Sequence, residues 1–226
     1  MAGSIRICLI ADGFFDDFKL CLDSIHAHSD VPISIYSSGK ENSKVVDTFP
    51  SENVEWSKNR LGWGHCINQF LTKSEEKYVV ILDPSTRFLG DAITPTLEKL
   101  ENGYQGVGWR GGLVNLDDDW RSVDDRGQGE VDVLFSYFMA VDREFAIKAG
   151  RANTSATYYR NADIELSLTL RAAGGKLWQM DLPLEQGRHH GYHDVEQNYR
   201  EKKSKENYNR LLEKFRGRTD ILSARR

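Results

Sequence analysis

The sequence has little cysteine: Cys8, Cys21 and Cys66 are odd in number and widely spaced. No CxxC pair occurs, so neither a disulfide framework nor a structural zinc site is indicated. The sequence also lacks any apolar run near the roughly 18 residues that a membrane-spanning helix needs. Its first residues, MAGSIRICLIADGFF, have too short an apolar stretch and no small-residue cleavage site for a signal peptide. We therefore expect reduced thiols and a soluble, cytoplasmic protein.

A strong excess of either charge is also missing. The formal net charge of the 226 residues is −4, which gives no indication of nucleic-acid binding. Residues 117–132 are acidic, whereas residues 200–226 carry about ten Lys or Arg against about four Asp or Glu. Two solvated faces explain this distribution, and a basic tail that docks peripherally on anionic lipid or on a partner is the alternative.

What the sequence does contain is an alternation of strand and helix signals in its first half. Residues 5–11 form an apolar run that ends at a glycine turn, and residues 15–26 place their apolar side chains on one helical face. Further strands are predicted over 32–36, near 54 and over 78–82, and further helices over 43–49 and 67–71. This alternation predicts an α/β fold with a Rossmann-like, mostly parallel central sheet flanked by helices.

The second half predicts a smaller, mixed region. Residues 106–110 and 131–141 have the composition of strands, and the acidic stretch 111–130 between them is predicted to be a long loop. A helix over 161–173 is followed by two glycines that stop it. A strand over 176–180 and a polar helix over about 195–216 complete the prediction.

Residues 59–89 carry the strongest local indication of a site. Gly62 and Gly64 allow the backbone to approach a ligand closely, and Asp83 ends an apolar strand, where open α/β sheets bind ligands. This combination suggests a nucleoside-diphosphate site, although an Asp-Pro pair is also ordinary turn chemistry. Ser85 is unexpected, because a second carboxylate there would make a better metal site.

Two later clusters are also candidates. Asp163 and Glu165 cannot share one helical face, and acids in a first helical turn also favour the helix dipole without any catalytic role. His189, His190 and His193 fall close together in a chain with six histidines, and neutral imidazole is a common metal ligand. The residues alone leave metal or phosphate binding and a structural role equally open for these histidines.

The order of these motifs resembles the inverting family 2 glycosyltransferases, which have the nucleotide-sugar-binding GT-A fold. The resemblance spans about residues 4–195. The matches are IRICLIADGFF at the first strand and turn, CLDSI at 21–25, NRLG at 59–62 with Asn68, VVILDPST at 79–86 for the strand with the family's DxD, and DIEL at 163–166 with Arg171 and Gly174 for its EDxDLxxRxRxxG. The resemblance implies one GT-A domain over 1–195, with a nucleotide-sugar half over 1–105 and an acceptor half over 106–195, followed by a basic helix or tail over 196–226.

The resemblance also implies an activity and a set of site residues. The enzyme would move a sugar from a UDP, GDP or dTDP type of donor to a hydroxyl of a glycan, a lipid-linked saccharide or another acceptor. Asp163 matches the catalytic base, and a divalent cation, Mn²⁺ or Mg²⁺, would bind Asp83 with His190 or His189. The residues expected at the donor are Ala11, Asp12, Ser37, Asn59, Asn68, Asp83 and Ser85.

Acceptor recognition is expected from the stretch 109–132, with Trp109 and Trp120, and from Glu165. The acidic run 117–132 is expected to act as a lid that orders on donor binding. A core role for both tryptophans is the alternative.

Departures from the family pattern leave a second interpretation open. Ser37 stands where an Asp usually contacts the base, Ala162 replaces the Glu of the family's ED pair, and Ser85 replaces the second Asp of DxD. A neutral hydroxyl binds cations weakly, so weak metal dependence is expected, and Arg87 is a candidate for neutralising the phosphates instead. The same departures suit a GT-A-like nucleotide-binding or scaffolding domain that has lost turnover.

Overall fold

The structure is a computed structural model that describes residues 4–13, 15–50, 52–187 and 196–226. The helices in this part of the chain are α1 (Phe15–His28), α2 (Val45–Thr48), α3 (Trp63–Lys73), α4 (Ile93–Glu101), α5 (Arg143–Ala149), α6 (Ala162–Ala172) and α7 (Gln197–Phe215). The strands are β1 (Ile5–Ile10), β2 (Ile33–Ser38), β3 (Asn53–Ser57), β4 (Tyr78–Leu82), β5 (Thr86–Phe88), β6 (Gly106–Gly108), β7 (Gly111–Val114), β8 (Val123–Asp124), β9 (Gly129–Val131), β10 (Val133–Leu134), β11 (Phe138–Asp142), β12 (Leu177–Gln179) and β13 (Leu184–Gln186).

A sheet of eight strands forms the centre, in the order β3-β2-β1-β4-β11-β6-β12-β9. The first four strands are mutually parallel. β11 is antiparallel to β4 and β6, and β12 is parallel to β6. The expected α/β fold, with a large, mostly parallel central sheet flanked by helices, is confirmed. Because β1, β2 and β4 are parallel, their carboxyl ends meet at one edge of the sheet.

Helices cover both faces of this sheet, so its central strands are apolar throughout. Successive residues of β1 show the two faces: Ile7 and Leu9 pack with α1 and α4, whereas Cys8 and Ile10 pack with α3, α5 and α6. Every residue of β4 is buried for the same reason. The strand that delivers Asp83 is therefore held in a rigid layer.

The predicted long loop over 111–130 is corrected by the structure. β7, β8 and the start of β9 fall in this stretch, and β7 pairs with both β10 and β8. Glycines that often mark loops permit close packing of strands here. A Cβ on Gly111 would lie 2.3 Å from Val133 O, and one on Gly112 would lie 2.4 Å from Asp124 O.

The single strand predicted over 131–141 is divided among β9, β10 and β11. The chain leaves β9 at Asp132, a fully buried residue whose carboxylate accepts hydrogen bonds from Val114 N at 2.8 Å and from Ser223 N at 2.6 Å. A buried carboxylate needs such donors. The chain therefore leaves β9 at the point where the Asp132 carboxylate reaches Val114 N and Ser223 N.

Residues 197–226 pack against the rest of the protein. Leu211 and Phe215 of α7 join Leu168 of α6 in a third core cluster, together with Ile221 and Leu222. Among the described helices, none is long and apolar enough to cross a membrane. As a result of this packing, α6 lies between the sheet and α7.

Candidate functional site

The ends of β1 and β2 are joined by side-chain hydrogen bonds. Asp12 is 2% exposed, and its carboxylate accepts bonds from Ser38 N at 2.7 Å and from Ser38 Oγ at 3.0 Å. Ser37 Oγ donates to Ala11 O at 2.5 Å. Three of the residues expected at the donor, Ala11, Asp12 and Ser37, therefore lie together at the carboxyl edge of the sheet.

Asp83 follows β4 at the same edge and is also 2% exposed. Its Oδ1 accepts hydrogen bonds from Ser85 N at 2.8 Å and from Ser85 Oγ at 2.7 Å. The hydroxyl at position 85 is thus directed at the Asp83 carboxylate, where a second carboxylate would repel it. Gly187 N donates to Ser85 O at 2.8 Å, so the chain leaves β13 beside this pair.

The described residues supply only part of a metal site. Asp83 is a suitable oxygen ligand, but no group of three His, Cys, Asp or Glu able to hold a metal occurs within 4–187 and 196–226, residues 14 and 51 aside. His189 and His190, the predicted metal ligands, and His193 lie outside the described residues. Arg87, considered for the phosphates, lies on β5 with its guanidinium 3.8 Å from the Glu185 carboxylate.

The glycines before α3 correct another expectation. A Cβ on Gly64 would lie 2.0 Å from Asn153 O, and one on Gly62 would lie 2.5 Å from Thr157 Cα. Gly64 N donates to Ala156 O at 2.9 Å. The close approach that these glycines permit is therefore to the protein's own loop between α5 and α6.

The two asparagines expected at the donor are placed differently from one another. Asn68 on α3 forms two hydrogen bonds with the backbone of Ala152. Its Nδ2 donates to Ala152 O at 2.9 Å, and its Oδ1 accepts from Ala152 N at 3.0 Å. This pair of bonds fixes the chain after α5 against α3. Asn59 is exposed in the segment before α3. Donor contacts by Asn59 and Asn68 stay predictions.

Asp163 lies in the first turn of α6 and is 6% exposed. Its Oδ2 accepts from Ser136 N at 3.0 Å and Ser136 Oγ at 3.3 Å, and its Oδ1 accepts from Ile164 N at 2.9 Å. Burial raises the pKa of Asp163 to about 6, because desolvation penalises the anion more than these bonds stabilise it. Such a carboxylate is ionised at neutral pH yet basic enough to take a proton.

Two consecutive residues connect Asp163 with the strand edge that bears Asp83. Ser136 binds Asp163 as described, and Tyr137 O accepts hydrogen bonds from Asp83 N at 3.3 Å and from Thr86 Oγ1 at 2.9 Å. Consecutive Cα atoms are about 3.8 Å apart. Burial raises the pKa of the Tyr137 phenol, and the negative charges of Asp163 and Asp83 add to this effect. The backbone segment that binds Asp163 is therefore continuous with the segment that holds the chain at Asp83.

A cavity of about 700 Å³ opens beside Asp163, within the size range of small-molecule sites. Its wall includes the aromatic rings of Trp120, Tyr137, Tyr158 and Tyr159. Flat aromatic faces give such a wall large apolar area with polar edges, which suits ring-shaped polar ligands. The cavity is thus the place where a substrate could reach Asp163.

Among the predicted acceptor residues, only Trp120 lines this cavity. Both tryptophans also have a core role: Trp109 packs in the main core at 7% exposure, and Trp120 packs in the third core cluster at 6% exposure. Glu165 is directed elsewhere, since it forms an ion pair with Arg210 at 2.6 Å and accepts from Asn153 Nδ2 at 2.8 Å. The opposite directions of Asp163 and Glu165 agree with their spacing of two on a helix.

Ser136, Tyr137, Tyr158 and Tyr159 were not predicted from the sequence. Ser136 acts on Asp163 through its backbone as well as its side chain, and backbone contacts leave no trace in residue identity. The available signals were the polar interruption at Ser136 in an apolar run and the Tyr-Tyr pair just ahead of the α6 N-terminus. Both are weak unless the fold is known.

No protein-family model matches the sequence, and no curated protein matches it. Solved structures do. GalNAc-T7 with UDP, GalNAc and Mn²⁺ aligns over 93% of this chain and 47% of its own, at 13% identity and a TM-score of 0.68. The mannosyltransferase PcManGT from Pyrobaculum calidifontis, in complex with GDP-Man and Mn²⁺, aligns over 79% of this chain and 55% of its own, at 14% identity and a TM-score of 0.60.

These similarities establish the fold. The chain has the GT-A architecture of these glycosyltransferases and spans about half the length of each.

Proposed function

We propose that this protein is a glycosyltransferase that moves a sugar from a nucleotide-diphosphate donor to a hydroxyl acceptor, with inversion at the anomeric carbon. One observation carries the proposal: Asp163 faces an aromatic cavity and is joined through Ser136 and Tyr137 to the sheet edge that bears Asp83. The fold supports it, since similar structures hold UDP with GalNAc and GDP-Man.

In the proposed reaction, Asp163 removes the proton of the acceptor hydroxyl. The acceptor oxygen forms a bond to the anomeric carbon while the bond from that carbon to the donor phosphate breaks, and the electron pair leaves with the nucleoside diphosphate. Inversion requires attack from the face opposite the leaving group. A base with a pKa of about 6 is ionised at neutral pH, and this favours proton removal without a further activating residue.

The donor is assigned to the carboxyl edge of β1, β2 and β4, where Asp12, Ser37 and Asp83 lie. Asp83 is proposed as one ligand of a divalent cation, with His190 or His189 from outside the described residues. A bound cation would offset the charge of the leaving diphosphate. Because Ser85 is neutral and bound to Asp83, the affinity for the cation should be low.

A second candidate function is a GT-A-like nucleotide-binding or scaffolding domain without turnover. Ser85 and the paired Ser37 and Ser38 favour it, because hydroxyl groups occupy positions where the resembling family has carboxylates. The environment of Asp163 favours the enzyme. Its carboxylate is buried and has a pKa of about 6, and strongly shifted pKa values cluster at functional sites.

Thermal shift with UDP, GDP, dTDP and CDP, each with and without Mn²⁺ or Mg²⁺, tests nucleotide binding. A nucleotide at 100 times its Kd should stabilise the fold by about 2.7 kcal/mol, which raises Tm by roughly 5–10 °C for a chain of this size. If no nucleotide shifts Tm, both candidate functions are wrong.

The Asp163→Asn variant then separates the two functions. For a transferase, it should lose transfer and keep nucleotide binding, while Asp23→Asn, an exposed acid on α1, should behave as wild type. The scaffold is favoured if wild type transfers no sugar from any donor that binds, across a panel of hydroxyl acceptors.

The metal assignment predicts that the Ser85→Asp variant binds the cation more tightly than wild type. In the absence of metal, the new carboxylate should repel Asp83 and lower Tm, and Mn²⁺ should restore it. We expect the response of Tm to Mn²⁺ to exceed that of wild type, with an apparent metal affinity roughly tenfold higher. Ser85→Ala is the matched control, which loses the same hydrogen bond without adding a ligand. Equal Mn²⁺ responses in the two variants would place the metal elsewhere.

A further inference from the structure

Three arginines line the cavity that contains Asp163: Arg121, Arg160 and Arg200. They come from separate parts of the chain, since Arg121 follows Trp120, Arg160 precedes the start of α6, and Arg200 lies in the first turn of α7. Folding therefore brings three arginine residues to the wall of one cavity from three distant segments.

These three side chains differ from the other described arginines in their contacts. Each of the others contacts a carboxylate, a carbonyl, a hydroxyl or an aromatic ring, as in the ion pairs Arg171–Glu130 at 2.7 Å and Arg210–Glu165 at 2.6 Å. Arg121, Arg160 and Arg200 have no side-chain hydrogen bond or ion pair with any residue of the described ranges. Within the described ranges, no carboxylate is paired with these three charges.

The carboxylates in the cavity wall do not cancel these charges. They are Asp163, which accepts bonds from Ser136 and Ile164, and Glu201, which accepts from Gln197 Nε2 at 2.7 Å. Among the described residues of the wall, three arginines therefore outnumber two carboxylates, and both carboxylates bind other donors. This described part of the wall carries an excess of positive charge.

Tyr158 indicates that two of the arginines act at one place. Burial raises the pKa of the Tyr158 phenol, whereas its bond to Tyr159 and the positive charges of Arg200 and Arg160 lower it. Tyr158, Arg160 and Arg200 all line the same cavity. The two arginines therefore lie on a wall that also carries an aromatic ring.

We infer that the cavity accepts a sugar acceptor bearing a phosphate or a carboxylate, with Arg160 and Arg200 binding the anionic group and Arg121 adding positive charge. This inference rests on the proposed function, because it defines the acceptor class of the same site. A guanidinium binds phosphate and carboxylate through two parallel hydrogen bonds, which gives both affinity and orientation. The aromatic wall would hold the sugar ring while Asp163 faces its hydroxyl.

The phosphates of the donor are the competing explanation for these arginines. In the proposed site the donor lies at the β1, β2 and β4 edge, and neither Asp12 nor Asp83 is part of the cavity wall. An anionic acceptor should therefore bind together with a nucleotide, whereas a donor phosphate in this cavity would exclude other anions. Competition between the two ligands decides between these assignments.

The test is calorimetric titration of the full chain with glucose 6-phosphate, glucuronate and the neutral control methyl glucoside, with and without saturating UDP or GDP. We expect at least one anionic sugar to bind roughly tenfold or more tightly than methyl glucoside, with the nucleotide present as well as without it. Comparing glucose 6-phosphate with glucuronate distinguishes a phosphate from a carboxylate acceptor.

The variants Arg160→Gln and Arg200→Gln should each weaken the anionic sugar about tenfold and leave nucleotide affinity unchanged. Arg218→Gln is the matched control, since Arg218 is exposed and pairs with Asp220 outside the cavity. Equal binding of neutral and anionic sugars, no binding of either anionic sugar, or displacement of the anionic sugar by nucleotide would overturn the inference. Nucleotide binding is measured separately in the same titrations, so failure of the proposed function is distinguishable.

Discussion

The Asp163 carboxylate is surrounded by donors from Ser136 and Ile164, and it is nevertheless harder to ionise than a carboxylate in water. The donors are two backbone amides and one hydroxyl, which are neutral, and burial removes the solvent that would stabilise the charge. The environment that suits the proposed role of Asp163 as a base therefore destabilises the folded protein when the residue is ionised.

This conflict predicts opposite effects of pH on stability and on activity. The pKa of Asp163 is about 6 in the folded state and about 3.9 in an unfolded chain. Between these values the folded state binds a proton that the unfolded state has lost, so the contribution of Asp163 to stability is present at low pH and declines as pH rises through 6. The total change is about 3 kcal/mol, whereas transfer should increase over the same range.

Denaturation of wild type and Asp163→Asn from pH 4.5 to 7.5 measures this contribution. The unfolding free energy of wild type, relative to the variant, should decline as pH rises and level off above pH 7. The part of the difference that does not change with pH is not informative, because the Asn side-chain oxygen still accepts a hydrogen bond from one of the same backbone amides. If the unfolding free energies of the two proteins stay parallel across pH 6, the pKa of Asp163 does not lie near 6.

For individual residues, Asp83 and Asp163 were singled out by their positions at a strand end and a helix start together with the family resemblance, and their roles stay predictions. Their surroundings were not predictable. Ser136 and Tyr137 connect the two acids partly through backbone atoms, and Gly62 and Gly64 serve packing that involves a loop about 90 residues away in sequence. Sequence patterns record side-chain chemistry better than close backbone approach.

Among the secondary-structure elements, those with clear periodicity were predicted closely. β4 coincides with the predicted strand over 78–82, and α6 lies within the predicted helix over 161–173. Between residues 111 and 142 the prediction was poor, because short strands there are separated by turns around Asp132 and contain glycines that normally indicate loops. Tertiary contacts override local preference at such positions.

The N-terminal turn of α3 provides a test of close packing between elements. Gly64→Ala should destabilise the protein by roughly 2–3 kcal/mol, because the new Cβ overlaps Asn153 O, a backbone atom that cannot rotate away. The gain in helix propensity offsets about 1 kcal/mol of the strain at most. Thermal unfolding should show Tm lowered by about 5 °C or more.

Gly187→Ala is the control for this variant, since its Cβ would lie 3.4 Å from Ser85 O at ordinary contact distance. Its effect on stability should be within about 1 kcal/mol. A Gly64→Ala protein as stable as Gly187→Ala would show that the loop between α5 and α6 moves away from α3 at little cost.

Residues 197–226 pack around α6 and connect it with other parts of the protein. α7 packs on α6, Arg171 of α6 donates to Ile221 O at 2.8 Å, and Arg226 pairs with the buried Asp132 between β9 and β10. The helix that carries Asp163 is therefore held from both sides, by the sheet and by this segment. Basic residues that first suggested a solvated or membrane-docking tail include two arginines, Arg210 and Arg226, that pair with buried carboxylates inside the protein.

This arrangement predicts that Arg226 stabilises the fold although it is not among the residues that line the cavity. Arg226→Ala leaves Asp132 with the backbone donors of Val114 and Ser223 but without a cation, and this should cost about 2 kcal/mol, or roughly 4–8 °C in Tm. Arg226→Lys should recover part of the loss, because it restores the charge without the paired donors. Arg218→Ala in the same segment removes only an exposed ion pair, and its Tm should match that of wild type. Equal Tm values for Arg226→Ala and Arg218→Ala would show that residues 223–226 are not docked on Asp132 in solution, and the second support of α6 would then have to come from α7 alone.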